Sequence, residues 1–327
     1  MAPAELPRYS SGVPSARAKL YIPNLNGGTM LLEALASLAE QTVTAEVVVV
    51  DNGSSDESAE VAKREFPEIA VLRLEANIGF GPALNAAVEA HPADHLIFSN
   101  NDVRFEPRFV EALLDELGGS PATVAGVLLQ GDDPGLIDSA GVVVDKTLLA
   151  FDYLHGCPVQ TLDEASPPLG PTGGAALVPF ELFRAVGGFD ARIFAYLEDV
   201  DLALRLRASG ATCRLASGAR GIHRHSATFG SGSRAKNRLM GWSRGYMLRR
   251  YGVLSQPSRA ARALVAEAVI CAGQLAVDRN VAGIASRARG WRAAKGLERL
   301  ETPAGATLEI GLVEALRRRA SRRFPAA

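Results

Sequence analysis

The stretch Glu46-Val47-Val48-Val49-Val50-Asp51-Asn52-Gly53-Ser54-Ser55-Asp56 sets an unbroken run of valines against an abrupt cluster of turn-forming residues. A β-branched apolar run bounded in this way fits a buried strand. Asp, Asn, Gly and Ser in succession end it in a turn. The same grammar recurs upstream, where the apolar run 19–22 gives way to Pro23-Asn24-Leu25-Asn26-Gly27-Gly28. Between the two, residues 30–41 carry apolar side chains at helical spacing. Downstream, Ser55 or Asp56 can cap a helix over 57–65. A strand at 70–74, a helix at 82–90 and a strand at 95–98 follow. Strands alternating with helices predict an α/β fold with a mainly parallel sheet flanked by helices. In such sheets ligands bind where loops leave the carboxyl ends of the strands, so the polar clusters there are where chemistry is expected.

The pattern changes after Gly118. Residues 124–129, 141–144 and 148–151 read as short strands, with a hairpin turn at Asp145-Lys146. A loop through Ser166-Pro167-Pro168 leads to 170–178 and a helix beginning near Pro179. These strands are expected to complete the same sheet. The C-terminal third reads as helices over 235–251, 259–277, 283–300 and 308–323. None offers the ~18 uncharged apolar residues needed to span a bilayer. The segment 263–277 comes nearest, but Glu267 and Gln274 interrupt it and make it a buried or interfacial helix.

Composition narrows the classes further. Of 327 residues, 47% are hydrophobic and 22% charged, ordinary for a globular chain with a real core. Three widely spaced cysteines, Cys157, Cys213 and Cys271, build neither a disulfide framework nor a zinc site and fit a reducing cytoplasm. Residues 1–18 lack the apolar core of a secretory signal and are expected to form a flexible leader. The net charge of −1 hides an asymmetry: from Arg234 onward there are 19 Lys/Arg and 6 Asp/Glu, whereas residues 1–233 hold 16 and 30. A basic tail of this kind suits anionic surfaces such as phospholipid headgroups or pyrophosphates, and equally a solvated helical face. No nucleic-acid-binding module accompanies it, so no nucleic-acid partner is expected.

Four clusters carry the chemistry. Asp51 stands at a strand end, where its carboxylate can accept a hydrogen bond from a base, and where it can equally cap a strand–helix turn. Asn77-Ile78-Gly79-Phe80-Gly81, with Asn85 beyond, can bring backbone N–H groups close to a phosphate or sugar. Asn100-Asn101-Asp102, at the exit of an apolar strand, offers oxygen ligands of the kind Mg²⁺ and Mn²⁺ prefer; an Asx-rich turn would look the same. The fourth runs from Gly187-Gly188-Phe189-Asp190 through Phe194 and Tyr196 to Glu198-Asp199-Val200-Asp201 and Arg205. Its acids sit at a helix start, which favours carboxylates, yet aromatic bulk surrounds them. Carboxylates so placed gain proton affinity, which suits a general base. His223 follows in His223-Arg224-His225, and neutral imidazole is a common metal ligand.

Taken together and in order, Val50-Asp51-Asn52-Gly53-Ser54, Asn77-Ile78-Gly79-Phe80, Asn100-Asn101-Asp102, Gly187-Gly188-Phe189-Asp190, Glu198-Asp199-Val200-Asp201 and His223 resemble the family 2 glycosyltransferases, in particular their bacterial rhamnosyltransferase-like branch. The resemblance covers residues 19–251. It implies a GT-A fold over 19–233, with a nucleotide-sugar half (19–118), an acceptor half (119–233) and a basic helical region (234–327). It further implies donor binding by Pro23, Asn26, Asp51, Asn77, Gly79, Asn100 and Asn101, and a divalent metal (Mg²⁺ or Mn²⁺) at Asp102 with His223. Asp199 matches the catalytic base, with Glu198 beside it. Gly173, Gly174, Asp201, Arg234, Lys236 and Arg238 are the expected contacts to the acceptor or its diphosphate. One departure matters: Asn100 stands where the family's Asp-x-Asp motif has its first acid, as in other Asn-x-Asp members of the branch, and should weaken metal binding.

The expected function is therefore inverting, metal-assisted transfer of a sugar from a nucleotide-sugar donor to a polysaccharide or lipid-linked acceptor. Rhamnose from TDP-rhamnose is the first candidate and UDP-hexoses the next. The expected setting is cytoplasmic, at the inner face of the membrane through the basic tail, with a homodimer through the C-terminal helices as a further expected contact. The rival reading is a catalytically weak nucleotide-sugar-binding or scaffold protein.

Overall fold

The computed structural model describes residues 17–118, 121–224 and 233–321. The expected leader, apart from residues 17 and 18, lies outside them, as does His225. The chain runs β1 (Ala18–Asn24), α1 (Gly28–Ala39), β2 (Glu46–Asn52), α2 (Ser58–Glu65), β3 (Ala70–Leu74), α3 (Phe80–Ala90), β4 (His95–Ser99), β5 (Val103–Phe105) and α4 (Phe109–Leu117). It continues through β6 (Ala122–Gln130), β7 (Ile137–Ser139), β8 (Val142–Asp145), β9 (Ala150–Asp152), β10 (Ala175–Pro179), α5 (Phe180–Ala185), α6 (Glu198–Ala208) and β11 (Thr212–His223). The last third holds α7 (Arg234–Arg250), α8 (Pro257–Ala276), α9 (Ala282–Ala293), β12 (Thr307–Leu308) and α10 (Leu312–Ser321).

The main sheet has the order β3-β2-β1-β4-β10-β6-β11-β5, with β7 on β6. Its first four strands are parallel, joined by helices as the sequence predicts. The valine run is continuous because both faces of β2 are covered: Val49 packs with Leu20, Ile22 and Ile97 on one side, and Val48 and Val50 with Tyr21 and Phe98 on the other. β10 then runs antiparallel to both β4 and β6. This reversal brings the loop before β10 beside the carboxyl end of β4, where Ser99 Oγ donates to the Gly174 carbonyl at 2.8 Å.

Three departures from the sequence reading stand out. The hairpin β8–β9 does not join the main sheet; it forms a small second sheet with β12. Val142 and Val144 are drawn away because they pack against Tyr246, Met247, Tyr251 and Ala294 of the C-terminal helices. β11, twelve residues long, was not foreseen as a strand, since Arg214, Ser217, Gly218 and Arg220 break up its apolar pattern. The third C-terminal helix also stops at Ala293, short of Leu300, before Gly296 turns with φ of 80°.

α7 and α9 lie unusually close. A Cβ added at Gly245 would come within 2.0 Å of the Arg287 carbonyl oxygen, and one at Gly290 within 1.9 Å of that of Trp242. Only glycine permits that approach. It sets Glu267 of α8 between Arg244 of α7 and Arg287 of α9, each at 2.6 Å.

Candidate active site

A cleft of about 450 Å³ opens along the carboxyl ends of β1, β2 and β4 and is closed on the other side by α6, α7, the small sheet and α10. That volume lies in the range of small-molecule sites. On the parallel-sheet side it is lined by Pro23, Asn24, Asn52, Asn77, Gly79, Asn100 and Asn101. The amides lock one another. Asn101 Nδ2 donates to Asn24 Oδ1 at 2.8 Å, and Asn24 Nδ2 donates to Ser58 Oγ at 2.9 Å. Asn52 donates to Asn77 Oδ1 at 3.1 Å and accepts from the Ile78 N–H at 3.0 Å. Gly79, at φ of 102°, must be glycine: a Cβ there would meet the Phe194 carbonyl oxygen at 2.3 Å.

At the head of α6, Tyr196 and Leu197 both adopt φ of 68°. Non-glycine residues in that region cost on the order of 1–3 kcal/mol each and concentrate at functional sites. The turn presents Glu198 and Asp199 to the cleft. Asp199 Oδ2 accepts from the Gly173 N–H at 3.2 Å and from Thr172 Oγ1 at 3.4 Å, while Oδ1 accepts from the Val200 N–H at 2.8 Å. Burial raises the proton affinity of Asp199, and these donors oppose the rise. Burial, with the Asp199 charge second, pushes Glu198 upward too, and its buried Oε2 has no hydrogen-bond partner. Donors collect on Asp199 and none reaches Glu198 Oε2, which favours the ionised form of Asp199 over that of Glu198.

Between β4 and β5 the chain exposes Asp102 to the cleft, opposite His223 at the end of β11. His223 Nε2 lies 3.2 Å from Asp102 Oδ1, and its Nδ1 lies 2.7 Å from Asp138 Oδ2. Burial alone would lower the imidazole pKa, but the two carboxylates outweigh it and push it up to about 10. Among the described residues no three His, Cys, Asp or Glu side chains gather as a metal cage. The pair nevertheless fits a divalent cation that takes its other ligands from water and a diphosphate. Asp102 Oδ1 is buried with the His223 ring nitrogen beside it, and Asp138 fixes the imidazole from behind as outer partners of metal ligands do. The two side chains approach to 3.2 Å, so one cation could be reached by both.

The predicted residues divide clearly. Pro23, Asn77, Gly79, Asn100, Asn101, Asp102, Gly173, Gly174, Glu198, Asp199, His223 and Lys236 all line the one cleft. Asp51 and Asn26 do not. Asp51 Oδ1 takes the Ser54 N–H at 3.0 Å and so closes its own turn, the alternative its sequence left open. Asn26 Oδ1 takes the Ser55 N–H at 2.7 Å. Asp201 is 1% exposed and held by Arg205 at 2.7 Å and by the Tyr251 hydroxyl at 2.9 Å, which makes it part of the core of α6. Arg234 and Arg238 are exposed on α7, on a different face from Lys236, and do not line the cleft. Thr172 carried a signal in Thr172-Gly173-Gly174 that was read only at its glycines. Asp138 and Arg319 carried none, because only the fold brings them to the site.

Residues 20–154 match the family described as Glycosyl transferase family 2. An N-acetylglucosaminyl-diphospho-decaprenol L-rhamnosyltransferase of Mycobacterium tuberculosis is 30% identical over 203 residues, covering 55% of this chain and 66% of that protein. The O-antigen biosynthesis protein RfbC of Myxococcus xanthus is 27% identical over 224 residues, 65% of this chain and 18% of its own length. The chain thus spans just under two thirds of the first relative and a fifth or less of the second. Among solved structures, GalNAc-T7 with UDP, GalNAc and Mn²⁺ superposes at a TM-score of 0.59 and 13% identity, over 85% of this chain and 54% of that one. The mannosyltransferase PcManGT from Pyrobaculum calidifontis with GDP-Man and Mn²⁺ does so at 0.53 and 17%, over 94% and 80%. At such identities these two speak for the fold, which is GT-A. With the family match over residues 20–154 and the 30% identical rhamnosyltransferase beside that fold, the chain is similar to the family 2 glycosyltransferases and to their rhamnosyltransferase-like branch.

Proposed function

We propose that the protein transfers a sugar, with inversion, from a nucleotide-sugar to a hydroxyl of a polysaccharide or lipid-linked acceptor, and that the sugar is rhamnose. The observation that carries this reading is Asp199. It is a carboxylate of raised proton affinity, oriented by three hydrogen bonds, in the same cleft as Asp102 and His223. In the reaction the acceptor oxygen forms a bond to the anomeric carbon as the bond to the diphosphate oxygen breaks, and Asp199 takes the hydroxyl proton. The Thr172 and Gly173 donors favour the ionised form of Asp199 and aim it, which contributes positioning rather than new chemistry. Asn52 bonded to Asn77, and Asn101 bonded to Asn24, form a preorganised polar wall for the donor. Asp102 and His223 would hold Mg²⁺ or Mn²⁺, which when bound neutralises charge on the departing nucleoside diphosphate. The name of the mycobacterial relative supports rhamnose as the sugar and a lipid-diphosphate acceptor.

The test uses purified protein, Mn²⁺ and a panel of TDP-rhamnose and UDP-hexoses, with melting shifts for donor binding and nucleoside diphosphate release for turnover. Asp199→Asn should cut transfer roughly 10²- to 10⁴-fold while the donor-induced melting shift stays. Unchanged turnover would remove the base role. Donor binding without turnover in any wild-type pairing would favour the binding-protein reading instead.

The expected membrane contact through the basic tail has a candidate surface on α8 and α9. The solvent side of α8 is apolar from Leu264 to Val277, with Leu264 59%, Val269 48%, Leu275 55% and Val277 80% exposed. Val281 and Ile284 extend it onto α9, and the exposed Arg279, Arg289, Arg292 and Lys295 flank it. An apolar face with a cationic rim matches the boundary of an anionic lipid surface. Among the described residues no helix is long and apolar enough to cross a membrane.

A further inference from the structure

The far wall of the cleft holds a guanidinium that the sugar-transfer reading leaves unused. Arg319, on the last described helix, lines the same cavity as Asp199 and Asp102, although more than a hundred residues separate it from either. It is partly buried and forms no hydrogen bond or ion pair among the described residues, whereas its neighbour Arg318 is taken by Glu314 at 2.7 Å.

Burial disfavours its charge, and its charged neighbours are two cations and two carboxylates. Arg244 and Arg287 repel Arg319, and Glu267 and Asp152 attract it. Glu267 is already shared between Arg244 and Arg287. Arg244 is itself 5% exposed, and its Nη2 is buried without a hydrogen-bond partner. It lies on one stripe of α7 with Lys236 and Met240, both of which line the cleft, at successive spacings of four residues. A desolvated guanidinium short of acceptors is costly, and a phosphate supplies the missing acceptors in the geometry a guanidinium prefers. The same cleft also carries apolar lining from the small sheet and α7: Val142, Ala150, Phe151 and Met240.

We propose that Arg319 is an anion-recognising residue of the acceptor half of the cleft, and that the acceptor presents to it a phosphate or diphosphate joined to an apolar group. α10 thereby completes the binding site rather than merely ending the fold. This rests on the sugar-transfer reading for the identity of the second substrate, but the anion site itself can be tested apart from it.

The probes are octyl diphosphate, inorganic pyrophosphate and octanol, titrated calorimetrically into the full chain with UDP or TDP and Mg²⁺ saturating the donor side. Wild-type protein should bind octyl diphosphate more tightly than pyrophosphate and should not bind octanol. Arg319→Ala should weaken octyl diphosphate roughly 10- to 100-fold, and Arg319→Lys should recover part of the loss. Nucleoside diphosphate binding should remain unchanged in both variants, which also reports an intact fold. Octyl diphosphate affinity that is absent in wild type, or indifferent to Arg319→Ala, overturns the inference while leaving the donor side standing. Equal affinity for pyrophosphate overturns the apolar part of the ligand. If wild type binds neither UDP nor TDP yet binds octyl diphosphate through Arg319, the sugar-transfer reading falls and the anion site stands.

Discussion

At the residue scale, function concentrates in how few donors surround each acid. Asp199 collects three hydrogen bonds and Glu198 Oε2 none, although the two are adjacent and both are driven toward their protonated forms by burial. The donors on Asp199 favour its ionised form, so removing one has a definite sign. Thr172→Val takes away the hydroxyl at 3.4 Å. Asp199 should then hold its proton to higher pH, and the acid limb of the kcat/KM profile for transfer should move to higher pH with the plateau largely kept. A limb that stays in place or moves to lower pH would show that Asp199 is not the group titrating. At this scale the sequence was informative about identity and less so about role. Asp102 and Asp199 were legible because they stood at expected strand and helix ends, whereas His223, whose strand was not foreseen, was singled out by its residue type and by the family resemblance. Asp51 looked equivalent to Asp102, yet its carboxylate is consumed by the Ser54 N–H three residues on, a local competition that residue type alone does not resolve.

At the scale of elements, the C-terminal helices are held by a buried charge cluster as well as by glycine contacts. Glu267 bridges Arg244 and Arg287, and despite desolvation these two guanidiniums hold its pKa below the ordinary 4.5. Removing the carboxylate strands two buried cations, so Glu267→Gln should destabilise the protein by about 3–5 kcal/mol. Urea denaturation at neutral pH measures this. The sign with pH follows from the depressed folded-state value. The carboxylate's contribution is fully present above about pH 4.5 and is lost as pH falls through the lower folded-state pKa. Stability of the wild type should therefore fall toward that of the variant in acid. A constant difference between them down to strongly acidic pH would contradict the assignment. The helices themselves were readable from periodicity, and Glu267 was seen as an interruption of an apolar run. That it is an interhelical bridge follows only from the close packing of α7 and α9.

At the scale of the whole molecule, charge and apolarity are segregated in a way that suggests orientation. The acidic body carries the amide-lined wall of the cleft, and the basic C-terminal third carries both Arg319 in the cleft and the bare apolar face of α8. If that face meets lipid, the protein should co-sediment with vesicles containing anionic lipid and much less with neutral ones, and binding should weaken with salt. Replacing Leu264 and Val269 by Glu, both exposed, should abolish co-sedimentation without changing the melting temperature. Loss of self-association by light scattering, with vesicle binding absent from the start, would identify a second copy of the chain as the occupant.

Local pattern determined the alternation of strands and helices, the parallel half of the sheet, and the strand and helix ends where the acids stand. These are consequences of hydrophobic period and turn chemistry, which act over a few residues. Tertiary structure decided the rest. Reversal of β10 brought Gly173 and Thr172 to Asp199, and the twelve-residue β11 delivered His223 to Asp102 and Asp138. The docking of α10 carried Arg319 into the cleft from the far end of the chain. Such contacts join positions tens to hundreds of residues apart, and the free energy that selects them is the burial of shared surface, which no local stretch of sequence contains.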